Sequence, residues 1–344
     1  MRSMLRSLAA AFVVLVALGL AAPVMAQPAP PQPTAVNPTA LSVNERQLME
    51  QLRAGTPGTG TTVSGRGTIP NLDSQVLIQP QGQAWRVFHQ GAMHWIAGIA
   101  ILGMLALLAL FYLVRGTIKV EKGLSGFKIL RFSSFERLVH WMVAGCFIIL
   151  GLSGLNVTVG KFLLLPLLGE DAFAVTAQWA KYAHNYLAWP FMLGLAVMFL
   201  TWVGHNIPSR VDLQWIRQGG GMLANGAHPP ARKFNAGQKG IFWAVMIGGA
   251  ALSLSGIYLL FPYTAGGVLA LQFWNIVHGL AGVLLIAVIL AHIYIGTLGM
   301  QGAAEAMTTG EVDLNWAKEH HSLWVQEEAD KGKLHPHAVV HPAE

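Results

Sequence analysis

The sequence holds one cysteine in 344 residues, Cys146, and that residue lies inside an apolar run. A lone thiol forms no intrachain disulfide, ligates no cysteine-held iron–sulfur cluster and leaves no CxxCH attachment site, so any haem here is held noncovalently. Charge is scarce too: Asp, Glu, Lys and Arg make up 11% of the chain against 53% hydrophobic residues, where soluble domains carry roughly a quarter charged residues. That imbalance excludes a soluble core and implies a membrane domain with tails. The apolar runs contain no carboxylate, no repeated half and no matched pair of Gly/Pro-broken helices, which argues against a transporter or histidine-relay proton channel. The net charge of +6 is no mark of nucleic-acid binding, because the cations sit in short loops flanking apolar runs, where they set membrane orientation.

The chain opens with Arg2 and Arg6, continues through an apolar run and reaches Val24, Met25 and Ala26, the pattern of a secretory signal peptide over 1–26. Residues 27–84 are rich in Pro, Gly, Thr and Ser without a sustained apolar period, and read as a periplasmic arm. Five spans follow, at about 94–115, 138–156, 184–205, 240–262 and 271–298. Residues 85–127 form the first span and its linker, 128–300 the main helical domain, and 301–344 a solvated cytoplasmic tail. Arg115, Lys119, Lys122, Lys128, Arg131 and Arg137 place the first loop in the cytoplasm, and Arg210, Arg217, Arg232, Lys233 and Lys239 place the third there. The connections 157–183 and 263–270 are poor in cations, so the mature N-terminus is expected in the periplasm and the C-terminus in the cytoplasm of a bacterial inner membrane.

The last span carries the most informative residues, His278 and His292. Fourteen positions apart on a helix, they share a face and lie about 21 Å apart along the axis, which offers one ligand near each membrane surface. By depth, His140 on the second span pairs with His292 near the cytoplasm, and His184, expected to open the third span, pairs with His278 near the periplasm. Two imidazoles at each of two depths is the arrangement of two stacked b haems. An isolated intramembrane histidine serves equally well as an interhelical hydrogen bonder, but four at matched depths favour ligation. Gly145, Gly279 and Gly282, beside these histidines, are expected to admit a flat macrocycle. His89 and His94 read as interfacial residues, His205 as a helix-end residue, and His320, His321, His335, His337 and His341 as part of the solvated tail.

FERLVHWMVAGCFIILGLSGL at 135–155, KFNAGQKGIFW at 233–243, IVHGLAGV and LAHIYIG within 276–296, and NWAKEHHSLW at 315–324 resemble the gamma subunit of respiratory formate dehydrogenase. The resemblance covers about 128–327 and implies an all-α, four-helix diheme cytochrome b. In that family the subunit takes electrons from an iron–sulfur beta subunit, fed by a molybdenum- or tungsten-containing alpha subunit that oxidises formate, and passes them to quinone. It places the axial ligands on His140, His184, His278 and His292, with the pairing reached from depth, and a quinone site on Asn235, Gly237 and Gln238. Asn235 reads equally well as a helix cap. Arg137, one turn before His140, is a candidate partner for a haem propionate or simply a loop cation. The signal peptide, the arm and the extra first span depart from the shorter family members. A cytochrome b of a hydrogenase or of a thiosulfate or polysulfide reductase is the alternative, and a cofactor-free anchor would leave the four histidines unexplained.

Overall fold

Hydrogen-bond caps, not the edges of apolar runs, set where two of the spanning helices begin. In the computed structural model, residues 85–221 and 227–332 are described; the signal peptide and arm, with His335, His337 and His341, lie outside them. Among the described residues, five helices are long and apolar enough to cross a membrane: α1 (Met93–Arg115), α2 (Ser134–Leu163), α3 (Glu170–Trp202), α4 (Ala236–Leu260) and α5 (Val268–Tyr294). α1 is preceded by helical residues from Trp85, and α5 runs on into a π-helical turn, Ile295–Gly299.

α2 starts at a reciprocal cap in which the Glu136 backbone N–H donates to Ser133 Oγ at 3.3 Å and the Ser133 N–H donates to the Glu136 carboxylate at 2.8 Å. α4 starts in the same way: the Gln238 N–H donates to Asn235 Oδ1 at 2.9 Å, and the Asn235 N–H donates to Gln238 Oε1 at 3.1 Å. At 30 residues α2 is about 45 Å long, well beyond the ~30 Å apolar layer. α3 likewise begins at Glu170 and not near 184, so His184 lies well inside the helix instead of opening it. Hydropathy detects the immersed part of a helix and misses polar turns that continue it into water.

α2 packs along α3 and α4 along α5, while α3 meets α4 and α1 lies against α5. α2 and α5 make little direct contact. Gly279 on α5 serves the docking of α1: a Cβ there would sit 2.8 Å from Cε of Met93, which is buried. Gly282 faces Leu252, whereas Gly145 faces open space. Of the three glycines expected to admit a macrocycle, Gly279 is therefore a helix-packing position.

Residues 301–332 form a cap rather than a solvated tail. Strand β1 (Lys128–Leu130) pairs antiparallel with β2 (Glu311–Asp313), with Ile129 opposite Val312. Two short helices follow, α6 (Leu314–His320) and α7 (Ser322–Asp330). Val312, Leu314, Trp316, Ala317, Trp324 and Val325 are buried in one apolar cluster with Phe132, Trp202 and Phe234. Asp313 caps α6 through the Asn315 N–H at 2.9 Å and accepts the Gly126 N–H at 2.9 Å. Glu319 accepts the N–H groups of Glu121 and Lys122 at 3.1 and 3.2 Å, tying the linker after α1 to the cap.

The tail histidines are inside this cap. His321 is fully buried; its Nδ1–H donates to the Arg232 carbonyl at 2.7 Å and its Nε2 accepts from Arg131 at 2.9 Å, which fixes the neutral form. Burial and the nearby Arg131 hold His321 well below the usual histidine range, and burial, with His228 and Arg131, pulls His320 down to about 4. An unfolded imidazole titrates near 6.5, so the opened cap binds more protons than the closed one between about 6.5 and 4. Cap stability is expected to be full above that window and to fall as pH drops through it. Hydrogen exchange at 311–325, corrected for its intrinsic pH dependence, measures this; protection unchanged down to pH 4.5 would contradict it.

Candidate cofactor-binding site

Each histidine on α5 faces one imidazole from another helix. His140 on α2 and His292 have ring centroids 6.2 Å apart with planes at 61°. His184 on α3 and His278 are 5.9 Å apart at 64°. Two metal–imidazole bonds of about 2.0 Å, plus ~1.1 Å from each nitrogen to its ring centre, place two rings sharing one metal about 6 Å apart. Among the described residues no group of three or more His, Cys, Asp or Glu could hold a metal ion. Two protein ligands per pair suit an iron whose equatorial positions are filled by a macrocycle, as in haem.

At the end away from the cap, serines fix the histidine tautomers. Ser153 donates its hydroxyl to the Ile149 carbonyl at 2.7 Å and lies 2.8 Å from His184 Nδ1. Ser255 donates to the Ala251 carbonyl at 2.6 Å and lies 2.9 Å from His278 Nδ1. With its one hydrogen committed, each hydroxyl accepts from Nδ1–H, leaving the Nε2 lone pair of each imidazole free for a metal. The residue after each serine is glycine, and both rings use the space: a Cβ on Gly154 would lie 3.6 Å from His184, and one on Gly256 3.4 Å from His278. Ser153, Ser255, Gly154 and Gly256 were all missed as site residues from sequence. Their signal was the repeated Leu-Ser-Gly at 152–154 and 254–256.

Ser255→Ala removes the acceptor for His278 Nδ1–H without opening a large hole. Losing such an outer partner typically costs 10–100-fold in metal affinity. One b-type haem is expected to transfer faster to apomyoglobin in this variant while any second one is retained; unchanged transfer would contradict the tautomer argument.

The cap-end pair borders a cavity of about 1370 Å³. His140 Nδ1 is buried without a partner among the described residues. Asn235, Gly237, Gln238 and Arg131 also line the cavity. Asn235 and Gln238 thus cap α4 and face the cavity at once, with their amide oxygens committed to the cap and, for Gln238, to Arg131 at 3.2 Å. Arg137 donates to the Thr308 carbonyl at 2.6 Å and to Ser134 Oγ at 3.2 Å, so its placement is against the cap. His94 hydrogen-bonds the Thr158 carbonyl at 2.7 Å, and His205 ends a short 3₁₀ turn, Val203–His205.

A family model described as prokaryotic cytochrome b561 matches residues 131–310, which contain all four facing histidines and the start of the cap. The chain belongs to the prokaryotic cytochrome b561 family. Its relatives include the cytochrome b556(fdo) subunit of Escherichia coli K12 formate dehydrogenase, 33% identical over 202 residues, or 58% of this chain and 92% of that one. The nitrate-inducible cytochrome b556(Fdn) subunit of the same strain is 31% identical over 203 residues, 58% of this chain and 91% of the relative. A Haemophilus influenzae formate dehydrogenase cytochrome b556 subunit is 28% identical over 206 residues, 58% of this chain and 84% of the relative. This cytochrome b is a multi-pass membrane protein of the formate dehydrogenase subunit type, with an electron-transfer role, and the family implies haem b.

Proposed function

We propose that this cytochrome b is the diheme subunit of a formate dehydrogenase complex, carrying electrons from an iron–sulfur beta subunit to quinone. His184 and His278 would ligate one b haem and His140 and His292 the other. The observation that supports this most is the matched ring separation of 5.9 and 6.2 Å in two pairs that share α5. Haem b, when bound, supplies reversible one-electron transfer at iron. The chain supplies the four imidazoles, with Ser153 and Ser255 holding the tautomers of His184 and His278. An alpha subunit containing molybdenum or tungsten would oxidise formate and deliver electrons through the beta subunit.

The cap end is assigned to the cytoplasm because the cationic loops 115–137 and 206–239 both lie there, while 157–183 carries only Lys161 and Lys181 as cations. The mature N-terminus, after cleavage of the signal peptide, is then periplasmic. Electrons would enter at the His184/His278 end and leave at the His140/His292 end, beside the cavity. Its volume of about 1370 Å³ exceeds the 300–1,000 Å³ usual for one small-molecule site, leaving room for quinone beside a haem. Glu121, Glu319 and His228 also line it and offer protonatable groups for quinone reduction on that side.

With their oxygens committed, Asn235 and Gln238 have amide N–H groups left to donate to a quinone carbonyl. Asn235→Asp and Gln238→Glu keep the capping oxygens and delete those donors, although Gln238→Glu also sets a carboxylate against Arg131. Each is expected to slow formate-to-quinone turnover about tenfold, from a hydrogen bond worth ~1 to 1.5 kcal/mol. Haem content and formate-to-dye turnover should hold. Unchanged quinone reduction in both variants would leave these residues as a helix cap alone.

A further inference from the structure

Arg131 differs from the other cations at the cap end in being buried with no counter-charge among the described residues. It is 5% exposed. The ion pairs among the described residues engage Lys128, His228, Arg232, Lys233, Lys239 and Lys331, and Arg131 joins none of them. Its hydrogen bonds all leave Nη2 and reach neutral acceptors: the Lys233 carbonyl at 2.6 Å, His321 Nε2 at 2.9 Å and Gln238 Oε1 at 3.2 Å. Its Nε is buried with no partner among the described residues. The rings of Phe132 and Trp316, each 5.2 Å from Cζ, and of Trp324 at 5.8 Å hold the guanidinium and exclude water.

This side chain lines the cavity that also contains His140 and His292. Burial pulls its pKa down to about 9, so it stays charged at neutral pH. A desolvated cation is costly unless an anion meets it. Among the described residues no carboxylate stands at ion-pair distance, which points to the occupant of the cavity as the source of the anion. A haem b carries two propionate carboxylates, and bidentate, charge-assisted pairing with carboxylate is what guanidinium does best.

Resting on the assignment of a b haem to His140 and His292, we infer that Arg131 is the counter-charge for a propionate of that haem. It acts as a positioning residue: it fixes the macrocycle's rotation about the line between the two imidazoles and favours the reduced iron through its positive charge. Arg137 is a poorer partner. Its Nε lies toward Gly310, where a Cβ would sit 3.0 Å from it, and its other donors reach the Thr308 carbonyl of the cap and Ser134 Oγ at the start of α2.

The test is a redox titration of the haem bands in the copurified complex, comparing wild type with Arg131→Gln and Arg131→Lys, with quinone present and after its depletion. Arg131→Gln is expected to lower the potential of one haem, the one missing from His140→Ala, and to leave the other unchanged. Arg131→Lys, which keeps the charge, should restore most of the shift, and depleting quinone should not abolish it. Equal potentials in wild type and Arg131→Gln would overturn the inference. So would a shift seen only with quinone, which would assign Arg131 to a quinone oxygen, or loss of that haem in both variants, which would make shape and not charge its contribution. If wild type holds no haem that depends on His140, the ligand assignment itself fails, a result separate from any of these.

Discussion

His278→Ala is expected to leave this cytochrome b with one b haem in place of two. The substitution removes one of two axial ligands and strands His184 with a single occupied nitrogen, held by Ser153 at 2.8 Å. Helix formation should survive, because alanine has the higher helix propensity and α5 is packed along its length by α4 and α1. His292→Ala should remove the other haem. The pairing itself is tested by double variants, since residues acting on one site are not additive. His184→Ala with His278→Ala should lose no more haem than either alone, whereas His184→Ala with His292→Ala should lose both. Electron transfer from formate to quinone should stop in every case, because the proposed route passes through both haems. Haem quantification against protein is the measurement, and two haems remaining in any single variant would remove that residue from the ligand set.

Trp316→Ala should open the cap. This indole is 2% exposed and its ring lies 5.2 Å from Arg131 Cζ, 5.1 Å from the His320 ring and 5.3 Å from the His321 ring. Truncating a buried tryptophan typically costs about 3–5 kcal/mol, partly from lost transfer energy and partly from the hole left behind. Here the hole would also admit water to Arg131. Amides across 305–330 should exchange faster by two orders of magnitude or more, while amides in α3 and α4 keep their protection. The haem at His184/His278 should persist. Exchange confined to the residues next to 316 would mean that the cap does not open as one unit.

The spanning helices and the four facing histidines were legible in the sequence because both depend on patterns within single segments. A run of about 20 apolar residues is costly in water and long enough to cross lipid, and fourteen positions on one helix fix a direction and a distance whatever surrounds them. The cap was not legible for the opposite reason. Residues 311–325 are short, mixed in polarity and charged, and they become a core only by meeting Phe132, Trp202 and Phe234 from remote parts of the chain. His320 and His321 therefore read as solvated, and Arg131 read as one more loop cation when it is in fact enclosed by aromatic rings. The position of His184 was misjudged because α3 continues past Lys181 to Glu170, through polar residues that hydropathy scores as loop. Gly279 was credited to a macrocycle because adjacency in sequence says nothing about which face of α5 meets Met93. The Ser-Gly pairs at 153–154 and 255–256 needed only a comparison of α2 with α4, and their shared role follows once both serines are seen to donate to their own helix.

The most direct test of the diheme account is a reduced-minus-oxidised visible spectrum, with haem quantified per chain, on the copurified complex before and after formate. The account expects two b haems per chain, both reduced by formate. A preparation with no haem, or with one haem that survives loss of either histidine pair, would contradict it, and two b haems untouched by formate would move the cytochrome to a different electron donor.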